Sequence, residues 1–151
     1  MQKVLMVCLG NICRSPLAHG VLENLVDPDR VFVDSAGTGA YHIGKAPDRR
    51  SIAVAREHGL DISQQRARQF TVKDFDSFDH IFVMDKENLA NVLALAPSEE
   101  AAAKTRLFLS VLKKDIQEVP DPYYGGEEGF QYVYDLVREA SEAIALKLNT
   151  P

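Results

Sequence analysis

The chain has 151 residues, 46% of them apolar, enough to bury a core as one domain over residues 1–151, and no linker, repeat or low-complexity tract divides it. Seventeen basic against 22 acidic side chains give a formal charge of −5, and no basic run accompanies an aromatic one, which argues against nucleic acid as a partner. Two cysteines make no disulfide scaffold, four scattered histidines without a Cys-x-x-Cys pair argue against a metal site, and no apolar run has signal-peptide or membrane length, so a cytoplasmic protein without membrane contact is expected.

Lys3 leads the unbroken apolar run Val4-Leu5-Met6-Val7, which predicts a parallel strand buried on both faces and ending at Cys8. The loop Leu9-Gly10-Asn11-Ile12-Cys13 follows, then Arg14, and Ser15-Pro16 opens a helix with Ser15 as its cap. A loop feeding a helix N-terminus gathers backbone N–H groups into one concavity, which the helix dipole makes an anion site. Arg14 adds a planar fork matched to two phosphate oxygens. The field that holds phosphate also stabilises negative charge on the Cys8 sulfur at the rim, and the Ser15 hydroxyl is placed to donate to it. Cys8, Arg14 and the loop together read as Cys-dependent phosphate ester hydrolysis.

The stretch Val7 to Pro16 resembles, almost letter for letter, the signature of the low-molecular-weight protein tyrosine phosphatases. The resemblance extends over essentially the whole chain. It implies a single-domain α/β three-layer sandwich, a four-stranded parallel sheet with helices on both faces, working without metal or cofactor. Leu9, Gly10, Asn11, Ile12, Cys13, Arg14 and Ser15 become the phosphate-binding loop, with Leu9 also on the substrate cleft.

Further along, Leu17, Val21 and Leu25 recur every four residues as the stripe of a helix from Ser15 to Val26, stopped by Asp27-Pro28-Asp29; His19 reads as a surface or part-buried residue of that helix. Val31 to Ala36 is a second strand. Its terminal Gly37-Thr38-Gly39 lacks the spacing of a dinucleotide fingerprint. By resemblance Ser35 is a hydrogen-bond partner of Asn11 behind the loop, and Tyr41, in the segment Ala40 to Pro47, walls the cleft. Asp48 to His58 is helical and ends at Gly59. In the returning loop to Phe70, many family members carry a histidine two residues before Ala-Arg, where this chain has Gln65. That puts histidine bracing of Asn11 from this loop in doubt, with glutamine able to hydrogen-bond in its place.

Phe70 to Phe78 is a short amphipathic segment, and His80 to Met84 is a third buried strand. Asp85 caps a helix running to Pro97, Ser98 to Lys104 is a polar, alanine-rich connection, and Arg106 to Leu109 is the fourth strand. A last helix, from about Phe130 to Asn149, turns Phe130, Val133, Tyr134, Val137, Ser141, Ile144 and Leu148 to one face. Strands alternating with helices imply parallel pairing with right-handed crossovers.

Before that helix lies Glu118-Val119-Pro120-Asp121-Pro122-Tyr123-Tyr124-Gly125-Gly126. Asp-Pro is a common turn dipeptide, and a phosphate ester equally needs an acid to protonate its leaving oxygen. The resemblance favours the acid: Asp121 becomes the general acid and Tyr123 the aromatic against the substrate ring. Its partners would be tyrosine-phosphorylated proteins, a bacterial tyrosine kinase among them, and a monomer is expected.

Arsenate reduction on the same type of loop is the first rival, disfavoured because Cys13 is the one further cysteine. A phosphotyrosine-binding module without catalysis and an enzyme acting on small phosphorylated metabolites are the others. Cys13, in the same loop as Cys8, is expected to form a reversible disulfide with it under peroxide. Thiol rescue as complete in Cys13→Ala as in the parent would refute this.

Overall fold

The structure is a computed structural model describing residues 1–123 and 126–149. Four parallel strands, β1 (Gln2–Cys8), β2 (Val31–Gly37), β3 (His80–Val83) and β4 (Thr105–Leu107), form one sheet in the order β2-β1-β3-β4. Helices α1 (Arg14–Leu25), α2 (Arg49–Glu57) and α6 (Glu127–Leu148) cover one face. Helices α3 (Lys73–Ser77), α4 (Lys86–Leu93) and α5 (Glu99–Ala103) cover the other.

The apolar run of β1 divides by pleat. Val4, Met6 and Cys8 pack with Leu17 and Val21 of α1 and Val133 and Val137 of α6, while Leu5 and Val7 pack with Phe70, Phe75 and Val92 on the opposite face. Every residue from Val4 to Val7 is fully buried, and this central strand delivers Cys8 to the carboxyl edge of the sheet. Ligands gather at that edge where neighbouring strands send their connections to opposite faces, as β1 and β3 do here.

The last helix starts at Glu127, three residues before the first of its buried apolar positions, Phe130. Ser98 to Lys104 is not a plain connection: Ser98 accepts from the Ala101 N–H and opens α5. The fourth strand stops at Leu107 because Phe108–Val111 winds into a 3-10 turn that buries Phe108 and Leu109. Ser15 is not a helix cap either; α1 begins one residue earlier and Cys13 occupies the cap position without a side-chain bond.

Candidate active site

The floor of the site is the turn from β1 into α1. Asn11 has φ +57, the left-handed region that asparagine tolerates better than most side chains, and this brings its N–H to 3.3 Å from Cys8 Sγ. The scaffold ties down the loop's carbonyls: Thr38 N–H donates to Cys8 O and Gly39 N–H to Leu9 O, both at 2.9 Å, and Asp48 N–H donates to Ile12 O at 2.7 Å. The first-turn N–H groups of α1 have no intrahelical acceptor and are the donors left for an anion. Gly37 is required at its place, since a Cβ there would lie 2.7 Å from Leu9 O.

Ser15 is fully buried, and its hydroxyl faces Cys8 rather than the helix end: Ser15 Oγ is 3.0 Å from Cys8 Sγ and accepts from Asn11 Nδ2 at 2.7 Å. Asn11 Nδ2 also donates to Ser35 Oγ at 3.0 Å, and Asn11 Oδ1 accepts from the Arg68 N–H at 3.1 Å. Arg68 is itself fixed by ion pairs of 3.1 Å to Asp34 and to Asp74. Gln65 does not brace Asn11; its Nε2 donates to Pro16 O at 3.1 Å.

Arg14, 3% exposed, donates from Nη1 to Asp85 Oδ2 at 2.6 Å and to Val119 O at 3.0 Å. Burial works against its charge, but Cys8, Asp85 and Asp121 around it push the guanidinium pKa up. With Nη1 engaged, Nε and Nη2 form the edge available to a phosphate. Asp85 does more than cap α4: while Oδ1 accepts the Asn88 N–H at 2.8 Å, Oδ2 holds Arg14.

Asp121 approaches from the far side, its Oδ2 3.7 Å from Arg14 Nη2, with Oδ1 accepting the Tyr123 N–H at 3.0 Å. Its side chain is 45% exposed. The loop is hung on both flanks: Val119 N–H donates to Met84 O at 2.8 Å, and Arg50 Nη2 donates to Tyr123 O at 2.8 Å. Arg50 lies 4.5 Å over the Phe130 ring and is gripped by Asp48 at 3.1 Å. Burial opposes charge on Asp48, yet the Arg50 hydrogen bonds hold its carboxyl below the usual range. Since Asp48 also caps α2 and donates its N–H to Ile12 O, one short chain of contacts joins the phosphate loop to the acid loop. Tyr124 lies outside the described residues.

These groups enclose a pocket of about 340 Å³. Cys8, Leu9, Gly10, Ile12, Cys13 and Arg14 line its floor, with Asp121, Tyr123 and Tyr41 around the mouth. Asn11, Ser15 and Ser35 stand behind the floor. His42 is a wall residue that the sequence did not single out, its ring centroid 6.5 Å from that of Tyr41 and 6.4 Å from that of Tyr123. Its place immediately after Tyr41 was the available signal. Cys13 is a free, buried thiol, its pKa pushed up first by burial and then by the negative charge of Asp48, Cys8 and Asp121.

Residues 3–150 match the family model described as low molecular weight phosphotyrosine protein phosphatase. The chain belongs to this family. A low molecular weight phosphotyrosine protein phosphatase of Schizosaccharomyces pombe is 41% identical over 138 residues, 87% of each chain. Among solved structures, an Entamoeba histolytica protein tyrosine phosphatase with Hepes in its active site superposes with a TM-score of 0.92 at 38% identity, covering 98% of this chain and 97% of its own. A Vibrio vulnificus Wzb in complex with benzylphosphonate gives 0.87 at 38% identity, covering 97% and 98%. The match spans both the turn from Cys8 to Ser15 and the segment that carries Asp121. Among the described residues no helix is long and apolar enough to cross a membrane, and no group of three or more His, Cys, Asp or Glu side chains is placed to hold a metal.

Proposed function

We propose that the chain, acting as one domain over residues 1–151, hydrolyses phosphotyrosine in proteins through a phosphocysteine intermediate. The carrying observation is the placement of Cys8 Sγ on a floor of loop amides, 3.0 Å from the Ser15 hydroxyl, with Arg14 locked beside it and Asp121 across the pocket. Cys8 thiolate attacks phosphorus in line. The S–P bond forms as the P–O bond to the phenol breaks, and Asp121 as the neutral acid gives its proton to the leaving oxygen. Arg14 and the amides from Leu9 to Ser15 bear the charge on the three equatorial oxygens. Asp121, now a carboxylate, takes a proton from water as its oxygen attacks phosphorus. Inorganic phosphate leaves and the thiolate returns.

Tyrosine is favoured over serine by depth. The sulfur lies at the bottom of a cleft walled by Tyr41 and Tyr123, which the long phosphotyrosine side chain reaches and pads with ring contacts. The Wzb relative's capture of benzylphosphonate, a ring one carbon removed from a phosphonate, supports the same class. The partners in this reading are tyrosine-phosphorylated proteins of a reducing cytoplasm, where two free cysteines persist.

The test is rapid mixing with a phosphotyrosine peptide in the absence of added metal, with arsenate reduction run in parallel. A burst of phenol, steady phosphate release and silence from Cys8→Ser are expected. Binding without turnover would make the chain a phosphotyrosine-binding module, thiol-dependent arsenite production a reductase, and equal turnover of phosphoserine would remove the tyrosine preference.

A further inference from the structure

Behind the pocket floor runs a hydrogen-bond chain whose outermost members take no part in the mechanism above. Its direction is set by donor and acceptor inventory. Asn11 Oδ1 accepts from the Arg68 N–H, which fixes the amide and leaves Nδ2 with two hydrogens, one given to Ser15 Oγ at 2.7 Å and one to Ser35 Oγ at 3.0 Å. Each serine, having accepted, has its own hydrogen to give. Ser15 gives it to Cys8 Sγ at 3.0 Å, and Ser35 gives it to His19 Nδ1 at 3.2 Å. His19 Nδ1 is then the lone-pair nitrogen, so Nε2 carries the hydrogen and donates it to Glu23 Oε2 at 3.3 Å.

We infer that His19 is a positioning residue for the phosphatase reaction: as the Nε2–H tautomer backed by Glu23, it accepts the Ser35 hydroxyl and thereby holds Ser15 as a donor to the Cys8 thiolate. The reason lies in the alternative. Ser35 is 5% exposed, and among the described residues His19 Nδ1 is the acceptor placed against its hydroxyl, whose other contact, Asn11 Nδ2, is a donor. A buried donor left unpaired costs about 1–3 kcal/mol. The nearest remedy is to flip the Asn11 amide so that Oδ1 faces the serines. That flip breaks the bond from Arg68 and gives Ser15 a second acceptor in competition with the sulfur. His19 excludes this state. Its side chain is 13% exposed, whereas Glu23 at 61% reaches solvent, so the relay runs from the surface of α1 to the nucleophile. Gln65 donates to Pro16 O and gives no hydrogen bond to Asn11 or the serines, so the imidazole on α1 is the support this network has.

The inference rests on the phosphatase reading for its kinetic consequence but not for its tautomer, so the two are tested apart. Ring nitrogen NMR of the 15N-histidine-labelled protein at mildly alkaline pH is expected to show Nε2 protonated and Nδ1 bare for His19. The opposite tautomer overturns the inference whatever the activity. On a phosphotyrosine peptide, His19→Phe is expected to lower kcat about tenfold with KM within about twofold, because the interaction lost acts on the nucleophile and not on substrate binding. His19→Gln, whose amide oxygen can accept from Ser35, is expected to recover to within about threefold of the parent. An unchanged kcat in His19→Phe, or equal losses in the two folded variants, overturns the positioning role. A parent without turnover overturns the phosphatase reading, and the NMR result alone then decides the tautomer.

Discussion

The floor and the mouth of the pocket are built differently. On the floor, Cys8, Arg14, Ser15 and Asn11 are all nearly buried, and each side chain is held by at least two named partners. At the mouth, Tyr41 is 73% exposed, and Asp121 keeps one carboxylate oxygen on its own turn and the other 3.7 Å from Arg14. In the proposed reaction the groups that would meet the phosphate are held in position by the fold, while Tyr41 and the Asp121 carboxylate, which would meet the ring and the leaving oxygen, are more exposed. Preorganised charge is what stabilises a transition state without reorganisation. Exposed rings at a mouth contribute contact area instead.

The sharpest way to break this contrast is at Asp121. Asp121→Asn is expected to cut turnover of phenyl phosphate by about 10²–10⁴-fold, the usual worth of a positioned general acid, and to cost far less on an ester whose phenol leaves readily. Equal losses on both would show that Asp121 holds the site together instead of giving a proton. Next comes the floor's anchor. Asp85→Asn keeps the oxygen that caps α4 but discharges the partner of a buried guanidinium. A charge-assisted hydrogen bond of about 1.5–3 kcal/mol translates to a loss of about tenfold to a hundredfold in kcat/KM, with phosphate inhibition weakened in step. Intact phosphate affinity in that variant would mean that Val119 O suffices to aim Arg14. The smallest effect belongs to Tyr41→Ala, with KM for a phosphotyrosine peptide rising about twofold to tenfold and kcat unmoved, in line with about 0.5–1.5 kcal/mol for an aromatic contact. A fall in kcat would place Tyr41 with the floor rather than the mouth.

The sheet was legible because β1 and β3 carry apolar runs of strand length, a pattern that a strand buried on both faces must write into its own letters, while the edge strand β2 showed itself by the shorter run Val31-Phe32-Val33 closed by glycine. The phosphate loop was legible for a related reason: a thiol, an arginine and a strand-to-helix turn are needed at fixed spacing. What the letters do not carry is direction. Ser15-Pro16 spells a helix cap whether the hydroxyl turns to the helix or, as here, to Cys8. Asp85 spells a cap and is one, and nothing local reveals that its second oxygen reaches Arg14, 71 residues earlier. The five-residue α5 is too short to show a period, and Ser98, its cap, was the one available sign. Gln65 and His42 depended on which neighbours the fold would bring, and that is a tertiary fact.

The bond from Arg14 to Val119 spans 105 residues of sequence. A nascent chain therefore presents the whole Cys8 loop well before Val119 and Asp121 have left the ribosome, and although Asp85 emerges sooner, Arg14 gains its second partner only then. Closure of so long a span is among the slower steps of folding. The pocket is therefore complete only once the native topology is assembled, and a chain cut before Val119 carries Cys8 without the far wall of its site.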